Sequence, residues 1–299
     1  MKRFSQASFL NGLPQPLVLT MEGRGRTPFE LYRIIASPSQ PSFLLESGKG
    51  AGSRYSYLGS NPFSVLTGGQ GWAPAQTQGG YERSSEDSLG SLCRLFAGPL
   101  VETPPDLPHF IGGAVGYLSY DLIREYEILP AIAKDDLLLP SLHFGLYDIV
   151  IAVDHQAGLV QIIFCPPIER FLGESREKLY REGLDRLAEW RAKLDTKPPL
   201  FTAPPSLNQI AFHPDQTRDA YIQRVRRCQQ YIAAGDIYQA NLSHRFTLEP
   251  LSTYDARVDR VPHEQELYRR LQAINPSPFS GLVHFDEVTL ISASPERLI

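Results

Sequence analysis

The chain has 299 residues, 42% hydrophobic and 21% charged, with 29 Lys and Arg against 33 Asp and Glu for a formal net charge of -4. That balance is ordinary for a globular protein and carries no basic stripe, which excludes nucleic acid as the expected partner; Arg224, Arg226 and Arg227 read as a solvated helix face. Three widely spaced cysteines, Cys93, Cys165 and Cys228, exclude a disulfide framework and fit a reducing cytoplasm. Without a CxxC or HExxH motif, the scattered histidines offer no zinc site.

The N-terminus opens with Lys2 and Arg3, but Asn11, Gly12, Pro14 and Gln15 interrupt the apolar run that a signal peptide needs. No stretch of about 18 apolar residues occurs, so no membrane-spanning segment is expected. Ser42 to Glu46 is a short apolar strand, and Arg54 to Leu58 alternates as a second. Between them lies Gly48-Lys49-Gly50-Ala51-Gly52-Ser53. Its lysine falls inside the glycine run and no helix follows, so it reads as a flexible loop and not as a phosphate cradle. Gly112, Gly113 and Gly116 interrupt the apolar run Ile111 to Tyr120, which implies a bulge or a close backbone approach. Leu146 to Val153 and Leu159 to Phe164 are β-branched runs joined through Gly158, a hairpin pattern.

A helix is expected over Glu174 to Leu194, with Tyr180, Leu184, Leu187, Trp190 and Leu194 on one face. Asp195 to Asn208 carries four prolines and reads as an extended connector. Pro214-Asp215 opens a second helix with Tyr221, Val225, Cys228 and Ile232 on its apolar face. Gly235, free to take a positive φ, closes it. Tyr238 to Phe246 then alternates as a strand, with Gln239, Asn241, Ser243 and Arg245 on one face. These polar residues either face water or line a polar pocket. Asparagine is depleted in strands, and Asn and Gln each present donor and acceptor to a small polar ligand.

A third helix, His263 to Ile274, presents Leu267, Leu271 and Ile274, and Asn275-Pro276-Ser277-Pro278 stops it. Gly281 to Phe285 and Val288 to Ser292 make a hairpin. By spacing alone, Glu296 and Arg297 form a surface ion pair. Strands first, then helices alternating with strands, imply an α+β fold with large antiparallel sheets.

Six collinear segments carry a resemblance. They are Leu44-Leu45-Glu46-Ser47, Arg54-Tyr55-Ser56, Gly112 to Tyr117 with Tyr120-Asp121, Ala234 to Phe246, Asn275 to Ser280, and Ser294-Pro295-Glu296-Arg297. Together they resemble the chorismate-utilising family, the large subunits of anthranilate synthase and of aminodeoxychorismate synthase. The resemblance implies an α+β fold whose large antiparallel sheets pack as a sandwich with flanking helices, the C-terminal part of the fold being missing. It implies an N-terminal region over 1–195, a connector over 196–210 and the start of a chorismate-binding region over 211–299.

Such enzymes aminate chorismate with ammonia from a glutamine amidotransferase subunit or domain. Tyr238-Gln239-Ala240-Asn241 and Pro278-Phe279-Ser280 resemble the aminodeoxychorismate synthase branch, which serves folate. Anthranilate synthase component I, and a non-catalytic fragment binding tryptophan or a glutaminase, are the alternatives. By the same resemblance Glu46, Ser47, Asn275, Pro276 and Phe279 wall a tryptophan-type pocket, Gln239 and Asn241 are possible pocket-lining residues, and Glu296 is the catalytic acid/base. A magnesium ion is implied for the complete enzyme, with ligands outside this chain. No PIKGT-like segment with its nucleophilic lysine occurs, so the chain is expected to be part of a longer enzyme and inactive alone.

Overall fold

The structure, a computed structural model, describes residues 6–47, 54–68, 88–97, 101, 104, 107–130, 132, 134–199, 211–248 and 260–297. The glycine-rich loop over 48–53 lies outside the described residues. In chain order the elements are α1 (Gln6–Asn11), β1 (Leu17–Glu22), α2 (Pro28–Ile35), β2 (Ser42–Glu46), β3 (Tyr55–Ser60), β4 (Ser64–Gly68), α3 (Ser88–Leu95) and β5 (Gly113–Leu118). A 3-10 turn at Tyr120–Glu125 follows. Then come β6 (Leu142–Tyr147), β7 (Ile149–Asp154), β8 (Leu159–Phe164), α4 (Ile168–Gly173), α5 (Arg176–Leu194), β9 (Phe212–Pro214), α6 (Arg218–Ala234), β10 (Phe246–Leu248), α7 (Arg260–Ile274), β11 (Phe279–His284) and β12 (Thr289–Ser294).

An antiparallel sheet of seven strands, ordered β1-β8-β7-β3-β2-β11-β12, organises the larger unit, with a three-stranded antiparallel sheet, β4-β6-β5, beside it. Because successive side chains alternate across a strand, one register row faces one side throughout. Ile291, Leu282, Leu44, Leu58, Ile151, Ile162 and Leu19 make such a row across all seven strands. They pack against helices through Leu31 of α2, Leu179 and Leu187 of α5, and Tyr268 of α7. Burying each such aliphatic side chain contributes about 1.5–3 kcal/mol. The opposite face of β2, β7 and β11 presents Phe43, Val150 and Val283 to Val115 and Tyr147 of the smaller sheet. The expected α+β sandwich with flanking helices is therefore present.

Local chemistry sets the ends of these elements. In α2 the Thr27 hydroxyl accepts from the Glu30 N–H at 3.2 Å, and the Glu30 carboxylate accepts from the Thr27 N–H at 2.8 Å. The hairpin read over Leu146 to Phe164 is shorter than expected. Leu146 belongs to β6 in the small sheet, and the chain changes sheets at Asp148. Both Asp148 oxygens accept from Arg186 of α5, one of them at 2.9 Å, which pins that crossover between the sheets. Gly116 answers the close-approach expectation: a Cβ there would lie 1.9 Å from the His143 carbonyl oxygen on β6.

The helical faces shift from those expected. In α5, Leu179, Gly183, Leu187, Trp190 and Leu194 are the buried residues, while Leu184 is exposed. Helix α7 turns Tyr268 inward, and Leu267 and Ile274 face out.

The chain divides into one unit of residues 1–201 with 264–299 and a second of 202–263. The division expected at 196–210 needs correction. Residues 264–299 return to the first unit because β11 pairs with β2, setting Gly281 opposite Leu45 and Leu282 opposite Leu44. The second unit contains α6 and the two-stranded ladder of β9 and β10, where Phe246 pairs with Pro214. Thr217 caps α6, accepting from the Ala220 N–H at 3.2 Å, and Gly235 closes it at φ 83°. Pro214 thus lies in a strand and not at the helix start, and none of the expected apolar face of α6 is buried.

The strand expected over Tyr238 to Phe246 is mostly irregular backbone. Ladder pairing begins only at Phe246, where β9 supplies a neighbour. A strand needs a partner for its N–H and C=O groups, and alternation of side chains does not supply one.

Candidate functional site: a cleft at the ends of the central strands

A cleft of about 910 Å³ in the larger unit is walled by the central strands and by the small sheet. Leu45 and Glu46 at the end of β2 and Ser47 just after it form one side. Tyr55 and Tyr57 of β3, Phe279 and Gly281 of β11, and Leu290 of β12 carry the wall onward. Gly116 of β5 belongs to the lining as well. Tyr57 stands edge-on to Phe110, with ring centroids 5.5 Å apart and planes at 88°. The surface is thus apolar and aromatic with a few polar groups, the usual make-up of a small-molecule site.

Backbone geometry places the polar groups. The Ser47 hydroxyl donates to the Tyr55 carbonyl at 2.7 Å, and the Ser47 N–H donates to the Ser56 hydroxyl oxygen at 3.3 Å. These bonds hold the end of β2 against β3 past the last register pair, Leu45 with Tyr57. Ser56 is in turn 2.8 Å from Nε2 of His155. Arg54 lines the cleft with its guanidinium 2.8 Å from Asp154. Arg297 lines it from the residues after β12 and lies over the Phe279 ring, 5.7 Å from the centroid.

Glu46 accepts a hydrogen bond from the Tyr268 hydroxyl at 2.5 Å. Burial pushes the Glu46 carboxyl above its ordinary range, and the Tyr268 bond opposes that shift. Burial also raises the Tyr57 phenol.

Of the five residues assigned to a tryptophan-type pocket, the structure brings Glu46, Ser47 and Phe279 into this cleft. Asn275 and Pro276 are exposed between α7 and β11, outside the lining; the Asn275 N–H closes the helix on the Leu271 carbonyl at 2.8 Å. Glu296 is exposed after β12 and also outside the lining, its N–H donating to the Ser294 hydroxyl oxygen at 3.3 Å. Gln239 and Asn241 lie in the other unit on exposed, irregular backbone.

Tyr268, Tyr57 and Arg54 are the site residues that pattern reading missed. Arg54 sits in a segment that carried the family resemblance, which was its signal. Tyr268 looked like one more position of an amphipathic helix.

Among the described residues, no group of three or more His, Cys, Asp or Glu side chains comes together to hold a metal. No helix among the described residues is long and apolar enough to cross a membrane.

A family model described as chorismate binding enzyme matches residues 40–299. The chain is 37% identical over 276 residues to anthranilate synthase component 1 of Thermus thermophilus, covering 91% of this chain and 54% of that protein. It is 35% identical over 195 residues to aminodeoxychorismate synthase component 1 of Klebsiella aerogenes, covering 65% of this chain and 36% of that one. The solved structure of anthranilate synthase component I from Streptococcus pneumoniae superposes with a TM-score of 0.60 at 26% identity, covering 83% of this chain and 52% of that one. The chain spans about half the length of the relatives it matches.

Proposed function

The chain belongs to the family of chorismate-binding enzymes, and from that premise we propose that it is the pocket-bearing portion of an aminodeoxychorismate synthase component I. The observation that carries this reading is the convergence of Glu46 at the end of β2 and Ser47 just after it with Phe279 from β11 in one cleft. Those are residues the resemblance assigns to a tryptophan-type pocket. The branch rests on Tyr238-Gln239-Ala240-Asn241 and Pro278-Phe279-Ser280, which read as the folate-directed enzyme.

In the complete enzyme, ammonia from a glutamine amidotransferase partner replaces the C4 hydroxyl of chorismate. That hydroxyl departs as water, which needs a proton donor beside it, the role given to Glu296. Magnesium belongs to that complete enzyme and not to any residue set described above. The cytoplasm is the setting that three unpaired cysteines suit.

A second reading, anthranilate synthase component I, is favoured by the identity to the Thermus thermophilus protein. Expression of the gene's complete reading frame, supplied with chorismate, ammonium and magnesium, decides between them by the product. 4-Amino-4-deoxychorismate supports the proposal, and anthranilate overturns it in favour of the second reading. If neither product forms while L-tryptophan gives heat in calorimetry, the chain is a non-catalytic tryptophan-binding module.

A further inference from the structure

Residues 119–141, which connect β5 to β6, hold many large apolar side chains in water. Tyr120 is 92% exposed, Ile132 is 88% exposed and Ile128 fully so, and Tyr126, Leu137 and Leu138 are exposed as well. A single exposed apolar side chain needs no explanation, but a run of them marks a surface that another molecule covers.

The segment is held in shape by its own polar groups. Leu122 and Pro140 are its buried anchors. Arg124 donates to the Asp121 carboxylate at 2.7 Å and to the Leu129 and Pro130 carbonyls at 3.2 Å each. The Glu125 carboxylate accepts from the Ser88 N–H at 2.9 Å and from its hydroxyl at 2.8 Å, which ties the segment to α3. At its base the Ser119 N–H donates to the Ser141 carbonyl at 2.8 Å. Backbone ordered in advance has less freedom to lose when a partner binds.

Charge selects the class of partner. Between Tyr120 and Pro140 the chain carries five carboxylates, Asp121, Glu125, Glu127, Asp135 and Asp136, against two bases, Arg124 and Lys134. That local excess is most of the whole chain's net charge of -4. It repels an anionic membrane and a nucleic acid, and it repels a second copy of the same surface. Exposed tyrosines and aliphatic side chains among charged groups are the make-up of an interface between separable proteins.

We propose that residues 120–139 dock the protein that delivers ammonia to the complete enzyme, and that its facing surface is apolar at the centre and ringed by Lys and Arg. This rests on the reading of the chain as part of a glutamine-dependent synthase, and adds the place where the amidotransferase sits. The carboxylates steer the encounter, while Tyr120, Ile128 and Ile132 supply the area that holds it.

The test uses the protein from the complete reading frame and the same organism's glutamine amidotransferase subunit, each purified. Calorimetry measures their association, and product formation is followed from glutamine and, separately, from ammonium. Ile128→Asp combined with Ile132→Asp weakens association about tenfold or more, and the glutamine-dependent rate falls with it. The ammonium-dependent rate and the thermal midpoint stay at wild-type values. Glu127→Lys weakens association at low salt, by a factor that shrinks as salt rises.

Unchanged affinity in the double variant overturns the proposal. So does loss of the ammonium-dependent rate or of thermal stability alongside binding, which would make the surface a seat for other parts of the complete chain. Self-association of the wild type that the double variant abolishes in sedimentation assigns the surface to a second copy, and overturns it too. If neither nitrogen source gives product, the functional reading fails, and the affinities for the amidotransferase judge the docking surface separately. If product forms from ammonium and the wild type binds no amidotransferase, the functional reading stands and the docking proposal is overturned.

Discussion

Arg54 and Asp154 meet at 2.8 Å at one end of the β3–β7 ladder, and the same carboxylate closes the β7–β8 turn. Its second oxygen accepts from the Gln156 and Ala157 N–H groups, each at 3.0 Å. One side chain thus ties a cleft-lining arginine to the hairpin that β3 rests on.

Asp154→Ala is expected to destabilise the chain by roughly 1–3 kcal/mol, because two turn N–H groups lose their acceptor. Asp154→Asn, which keeps an acceptor for the turn, loses less. Burial alone would raise the Asp154 carboxyl, but the Arg54 and turn hydrogen bonds outweigh it and hold it below its ordinary value. Its contribution is therefore present above the unfolded carboxylate pKa, about 3.9, and is lost as pH falls further. Urea denaturation of the three proteins at neutral and acid pH checks both statements.

Gly116→Ala places a Cβ 1.9 Å from the His143 carbonyl oxygen, which is backbone and cannot swing aside. The β5–β6 ladder must open, at a cost of about 1–3 kcal/mol or more. Gly281→Ala, whose nearest contact is the Leu45 side chain at 3.3 Å, is tolerated better. Thermal denaturation of the two variants ranks them, and an equal effect would contradict the close approach.

His143 is buried and stacked on Phe285 with ring centroids 3.9 Å apart. Burial lowers its pKa to about 4 from the usual 6.5. The unfolded chain then binds the extra proton first, so this contribution is complete above about pH 6.5 and declines as pH falls toward 4. In His143→Phe the stability profile flattens across that window. Chemical denaturation at a series of pH values measures the slope.

Leu44 sits in the middle of the row that crosses all seven strands and is fully buried. Leu44→Ala leaves a cavity between sheet and helices and costs about 2–5 kcal/mol. Denaturant midpoints at unchanged m-value are the readout.

Where the chain's own pattern was strong, the fold was legible. Ser42 to Glu46 is a strand with the bounds expected, and the β11–β12 hairpin stands where its two apolar runs placed it. Glu46, Ser47 and Phe279 were named from motif resemblance and do converge. The polar strand after Gly235 was misread because side-chain alternation says nothing about a neighbouring ladder. Tyr268 went unnoticed because its partner, Glu46, lies 222 residues away in sequence.

The sequence by itself determined the family, the α+β class and most strand positions, because these depend on local periodicity and on motifs that can be read along the chain. Tertiary structure alone decided that residues 264–299 return to β2 and that Tyr268 meets Glu46. It also decided that the carboxylate of Asp154 serves both a turn and an arginine. Each of those is a contact between segments far apart in sequence, and local pattern does not encode which distant groups will share a surface.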